Sequence, residues 1–215
     1  MRRILLTAVA LAALALSASA ALAGDGAGMP GWGGSVYLFG QNAPFTTTGA
    51  FPTNIGIVGL GYEMTGRLGG GHWGWAGAFG YGMGSIKDEV TSGGPTTTSE
   101  ISATHYEVRL GMDYWDECCD EYWFCGPGLV YQSTKVTLKQ TAAADQVSDP
   151  YKVFGIDPRA GGALKLGSGG MRLWGSMSML LGRASFKDTS TPGTELKQSG
   201  WIVQPGWRGG LRFQY

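Results

Sequence analysis

Large apolar side chains recur at every second position along most of this chain, with small, polar or charged residues between them. Met171, Leu173, Met177, Met179 and Leu181 share one face of their segment, while Arg172, Trp174, Ser176 and Ser178 share the other. Tyr106, Val108, Leu110, Met112 and Tyr114 oppose His105, Glu107, Arg109, Gly111 and Asp113 in the same way. Trp73, Trp75, Phe79, Tyr81 and Met83 oppose His72 and a run of Ala and Gly. Alternation with period two marks a strand lying between two different environments. It predicts eight strands, near 32–41, 54–65, 72–84, 101–115, 122–135, 152–166, 171–184 and 200–215. The pattern leaves open which face of the first two strands looks outward. No helical periodicity follows residue 23, and frequent glycines would weaken a helix by about 1 kcal/mol each.

The connections alternate in length. Those near 42–53, 85–100, 136–151 and 185–199 are long and rich in Thr, Ser, Gly and Pro; those near 66–71, 116–121 and 167–170 are short. Aromatic residues gather at two levels. Trp73, Trp75, Tyr114, Trp123, Phe213 and Tyr215 lie toward the short turns, and Tyr81, Tyr106, Tyr131, Phe154 and Trp201 toward the long connections. Amphipathic rings collect where hydrocarbon meets headgroups, so two levels imply two interfaces. A soluble β-sandwich also alternates, but it does not present an uninterrupted apolar face of this size to water. The reading is therefore an all-β, eight-stranded, antiparallel up-and-down transmembrane β-barrel, apolar outside and polar inside. Pro127, Pro158 and Pro205 fall inside three of its strands, where a closed sheet has no edge to house them.

Composition agrees. Charged residues make up only 15% of the chain against a usual quarter, and there are 38 glycines. Residues 1–23 begin with Arg2 and Arg3, continue as an apolar run and end Ala-Leu-Ala, the build of a cleaved secretory signal peptide. The expected domain is then 24–215, exported to the outer membrane of a Gram-negative-type cell. Loss of the two leader arginines turns the formal net charge of zero into a slight acid excess, which gives no reason to expect nucleic acid as a partner.

The final residues, GGLRFQY, resemble the C-terminal signal of bacterial outer-membrane proteins, in which an aromatic end residue follows apolar residues at alternate positions. The match falls on Trp207, Leu211, Phe213 and Tyr215. The whole of 24–215 resembles the small eight-stranded barrel class, comparable to the transmembrane domain of outer membrane protein A. The resemblance implies outer-membrane lipid as surroundings and the barrel-assembly machinery as reader of the last strand. No peptidoglycan-binding module is expected beyond Tyr215.

Alternation assigns Glu63, His105, Glu107, Arg109, Asp113, Asp157, Arg159, Lys165, Arg172, Arg208 and Arg212 to the lumen. Charges removed from water need partners, so these are expected to form a salt-bridge network in a largely filled lumen. The alternative is a narrow path for ions or small solutes, gated by rearranging the pairs. His105 beside Glu107 invites an acid–base reading, and resemblance to small barrels that modify lipid A would make the protein a lipid-modifying outer-membrane enzyme, but no motif of theirs accompanies it and no catalytic residue is assigned. Cys118, Cys119 and Cys125 lie at one short turn, and a local disulfide from Cys125 to Cys118 or Cys119 is expected ahead of a metal site. No cofactor or metal is expected. The polar connections suit contact at the cell surface, with no ligand specified.

Overall fold

The computed structural model describes residues 32–44, 54–68, 72–90, 97–118, 121–140, 143–147, 150–167, 169–188 and 196–214. The expected signal peptide with its cut after Ala23, and the terminal Tyr215, lie outside the described residues. Eleven strands lie among the described residues: β1 (Trp32–Pro44), β2 (Asn54–Arg67), β3 (Trp73–Val90), β4 (Thr97–Cys118), β5 (Glu121–Gly126), β6 (Gly128–Gln140), β7 (Ala143–Val147), β8 (Tyr151–Ile156), β9 (Arg159–Lys165), β10 (Met171–Asp188) and β11 (Leu196–Gln214). β5 and β6 are two halves of one spanning segment, each paired with β4, and β8 and β9 are two halves of another, each paired with β10. β7 adds a short ladder to the outer end of β6. Eight antiparallel spanning segments result, matching the count expected from alternation.

The ring closes. A row of register partners runs from Gly175 through Gly209, Leu38, Leu60, Tyr81, Tyr106, Ser133 and Lys152, and returns to β10 at Ser185. The return point is ten residues further along the strand than the start, which is the stagger a closed, tilted cylinder needs. Hydrocarbon offers no water to backbone groups, so this closure, with β11 against β1, lets a sheet sit there.

The three prolines fit because of where their missing N–H groups would point. Continuing the registers of β5–β9 and β6–β8 sets Pro127 opposite Pro158, and both rings face outward. Each proline carbonyl still accepts a ladder bond, from Met112 N–H and Met179 N–H respectively, both at 3.1 Å. Only the return bond is lost, and there the two spanning segments are interrupted. Pro205 stands one residue beyond Gln41↔Gly206, where β1–β11 pairing ends, so no donor is required of it.

Burial is inverted relative to a soluble protein. Leu38, Leu60, Phe79, Leu110, Met177 and Val203 lie exposed on the outer face, while Glu63, Glu107, Arg109, Asp113 and Arg212 are buried within. The apolar stretch runs from Trp73 to Met83 on β3 and from Leu173 to Leu181 on β10. At about 3.4 Å per residue and a tilt near 40°, that is roughly 20–25 Å, the height of an outer-membrane barrel's apolar band. Trp73, Tyr114 and Trp123 bound it toward the short turns, and Tyr81, Tyr106, Tyr131, Phe154 and Trp201 toward the other end.

Much of what reads in sequence as long polar connection is strand. β3 and β4 stay paired to Val90↔Thr97, and β10 and β11 to Asp188↔Leu196. Once a hairpin ladder has started, every second further pair adds two hydrogen bonds without closing a new loop, so Thr- and Ser-rich segments extend it. At the short-turn side, Gly167 takes a left-handed φ of 72° between β9 and β10, which glycine adopts without steric penalty.

A charge on the outer face separates a lipid-facing surface from a wetted one. Leu110 is 64% exposed in mid-band; Leu110→Arg should lower stability by about 2–4 kcal/mol in a bilayer, measured by urea titration of the reconstituted barrel.

Candidate functional site

Among the described residues the lumen concentrates the buried charged groups, and alternation puts them there. The odd residues of β1 and β2 and the even residues of β3 point inward. On β1 these include Tyr37 and Phe39, each buried. They fit because their neighbours across the ladder lack side chains: a Cβ on Gly61 would sit 2.2 Å from the Tyr37 ring, and one on Gly59 would sit 2.5 Å from the Phe39 ring. The Arg109 guanidinium crosses Gly111 and Gly128 in the same manner, 2.6 Å from either Cβ position. Small residues opposite large ones fill the taper of a narrow barrel.

The inward charges form one alternating chain. Arg212 holds Glu63 at 2.5 Å; Glu63 is also gripped by Arg159, which turns its other nitrogens to Asp113. Arg109 bridges Asp113 at 3.9 Å and Asp157 at 3.3 Å. Arg208 spans Asp157 at 3.0 Å and Glu107 at 3.2 Å. The sequence of signs is +−+−+−+−, from Arg212 near the short turns to Glu107 nearer the long hairpins. All eight residues are buried. Among the described residues four carboxylates face four guanidiniums, so the ion chain itself is balanced in charge.

Above and below, the chain is capped. On the short-turn side Trp115, Tyr122, Phe124 and Trp174 make an aromatic floor; Arg212 lies 4.9 Å over the Trp174 ring and 5.5 Å over Phe124, and donates to the Tyr122 hydroxyl at 2.5 Å. On the long-hairpin side Gln132 donates to Gln41 Oε1 at 2.9 Å and to Glu107 at 3.4 Å, and Gln41 Nε2 lies 2.6 Å from His105 Nε2. Ile55, Ile57, Ala103 and Val153 are buried beyond them. A small recess opens between β1 and β11, where Gln41, Glu107, Gln204 and Arg208 meet; the buried Gln204 Oε1 has no protein partner there.

Two of the expected lumen charges stand elsewhere. Lys165 is exposed at the short-turn rim, one register step past Glu121, where β5 begins and the wall beside it ends. Its partner Arg172 is half-buried and lies 4.9 Å over the Tyr122 ring, beneath the aromatic floor and outside the ion chain. Alternation assigns six Lys and Arg and four Asp and Glu to the lumen, and the two surplus cations therefore belong to the rim. His105 is fully buried, with Nδ1 2.8 Å from Thr134 Oγ1 and Nε2 against Gln41. Glu107 is committed to Arg208 and Gln132, so the acid–base pairing of His105 with Glu107 does not form.

The expected hairpin disulfide needs correction. Cys125 carries a free thiol on the outer face. It pairs in register with Tyr114, while Cys118 pairs with Glu121, four residues away along the ladder. That is about 13 Å, twice the reach of a disulfide. Cys119 lies outside the described residues. Among the described residues no group of His, Cys, Asp and Glu is arranged to hold a metal ion. Trp207 and Leu211 are exposed on the outer face of β11 and Phe213 is half-buried, opposite to Arg208 and Arg212. Sequence reasoning missed the inward roles of Tyr37, Phe39 and Gln41, because β1 alternates too weakly to reveal its inner face.

No family model matches the chain, and no curated protein matches it in sequence. Solved structures do. The outer membrane protein OprG from Pseudomonas aeruginosa aligns with a TM-score of 0.52 at 10% identity, over 86% of this chain and 96% of that one. Ail of Yersinia pestis aligns at 0.49 and 12%, over 87% and 100%, and Neisserial surface protein A at 0.46 and 9%, over 87% and 98%. At such identities OprG speaks for the fold alone. The architecture is that of the small outer-membrane β-barrels.

Glu63 anchors one end of the ion chain through two arginines. Glu63→Gln should lower stability by about 3–5 kcal/mol, because both guanidiniums stay buried with less charge to face. Glu63→Gln with Arg159→Gln should lower it by less than the sum of the singles. Urea titration read by the mobility of unboiled samples on gels measures both.

Proposed function

We propose that the protein is an integral outer-membrane barrel with a structural or surface-interaction role, whose lumen is closed rather than conducting and which performs no catalysis. The observation that carries this is the continuous ion chain, held between an aromatic floor and an amide and aliphatic ceiling. Each carboxylate touches at least one guanidinium, so moving one charge breaks contacts on either side of it. An eight-stranded barrel is wide enough for its own side chains and little more. The paired hairpins that extend past the aromatic level give the protein a stiff surface for contact outside the bilayer. In this reading residues 1–23 direct export, and the β11 stripe of Trp207, Leu211, Phe213 and Tyr215 is what the assembly machinery engages.

A second reading, a narrow path for small polar solutes, draws on the recess beside Gln204 and Arg208, the least filled part of the interior. Planar-bilayer recording separates the two. The closed barrel gives no stepped conductance across salts and voltages; reproducible steps that change on Glu107→Gln would replace the first reading with the second. Cell fractionation checks the location: recovery with outer-membrane markers is expected, and recovery in the soluble periplasm would remove both readings.

A further inference from the structure

The outer face is not uniform around the barrel. One row of register partners crosses β6, β8, β10 and β11 as Tyr131, Phe154, Arg183 and Trp201. Arg183 thus stands between two outward aromatic residues, one of which, Trp201, is 84% exposed. The next row toward the long hairpins is Ser133, Lys152, Ser185 and Ser199, and Arg183 Nη2 donates to Ser199 Oγ at 3.2 Å. Lys135 follows on β6, and Lys187↔Lys197 is the pair beyond on β10 and β11.

Lys135, Lys152 and Arg183 are exposed, and each is the diagonal neighbour of the next across the ladder. Such neighbours lie about 7–8 Å apart, close enough for like charges to repel. Among the described side chains of these rows there is no carboxylate. Among the described side chains, the wall formed by β2 and β3 carries Val58, Met83 and Ser85 on its outer face at the corresponding end. Below the cations lies the apolar band that meets acyl chains, and aromatic rings mark its edge. That is the depth at which lipid headgroups sit.

We infer that the outward face of β6, β8, β10 and β11 binds the phosphate groups of a phosphorylated membrane lipid, with Lys135, Lys152 and Arg183 as its cationic contacts. Phe154 and Trp201 pack against the same lipid's upper chains, and Ser185 and Ser199 supply hydroxyl donors. The inference rests on the membrane-barrel fold and not on whether the lumen conducts. A phosphate bridging the cations removes their mutual repulsion, and the bilayer holds such groups at the required height.

The test uses the whole barrel in neutral detergent, titrated with lipid A, a diphosphorylated glucosamine lipid, and counted for bound lipid by native mass spectrometry. Lys135→Gln, Lys152→Gln and Arg183→Gln together should weaken binding by about 10- to 100-fold. Lys165→Gln, which removes an exposed cation at the other rim, should leave it unchanged. Unboiled gel mobility checks that the triple variant is folded, and Lys152→Gln alone should give a partial loss in the same direction. Unaltered binding by the triple variant, or an equal loss in Lys165→Gln, would overturn the site. Displacement of the lipid by millimolar inorganic phosphate would overturn its assignment to lipid and leave a site for free phosphate.

Discussion

A sheet in hydrocarbon must satisfy its backbone from within, and the pairing of β11 with β1 is where this chain meets that demand. Without it, two strand edges would present unpaired N–H and C=O groups to lipid, each costing several kcal/mol. Closure also explains the treatment of the prolines. Pro127 and Pro158 stand at the interruptions of their spanning segments, and Pro205 stands just past the end of the β1–β11 ladder. None removes a bond that the ring could not lose.

Closing the ring creates an interior, and the interior then sets its own rules. Charges there are excluded from bulk water by the aromatic floor and the amide and aliphatic ceiling. The arrangement follows the requirement that a buried ion have a partner: four acids and four arginines alternate along one line. Arginine donors not taken by carboxylates meet the Tyr122 hydroxyl, the Asp157 carbonyl and aromatic faces, while Arg109 Nε and Nη1 and Arg212 Nε are buried without a hydrogen-bond acceptor. Arginine suits this because its planar fork meets two partners at once and lies flat on a ring. The same neutrality leaves little free field to draw an ion through, which links the packing of the lumen to its proposed closed state.

The outside answers to a different solvent, and its asymmetry around the barrel follows from that. Exposed leucines, methionines and aromatic rings are the ordinary surface where acyl chains lie. Lysines and an arginine clustered on one wall, just beyond the aromatic row, are a departure from it among the described side chains that calls for an anionic neighbour. Lipid therefore enters as a solvent on most of the surface and as a ligand on one part.

Alternation determined the number of spanning segments and most of the inward charges, since side chains on a strand must point to opposite faces. Glu63, Arg109, Asp113, Asp157, Arg159, Arg208 and Arg212 were legible for that reason. The size of the apolar face, the two aromatic levels and the unequal connections set the class apart from a soluble sandwich. Tertiary structure decided what depends on register and stagger. Arg172 lies under the floor, and register between neighbouring strands places Lys165 one step past the start of β5 and Cys125 four residues from the level of Cys118. It also selects which acid each arginine meets, and it turns Tyr37 and Phe39 inward against glycines on β2. A one-dimensional pattern carries the parity of each residue but not its height on the cylinder, and contact between strands far apart in the chain depends on height.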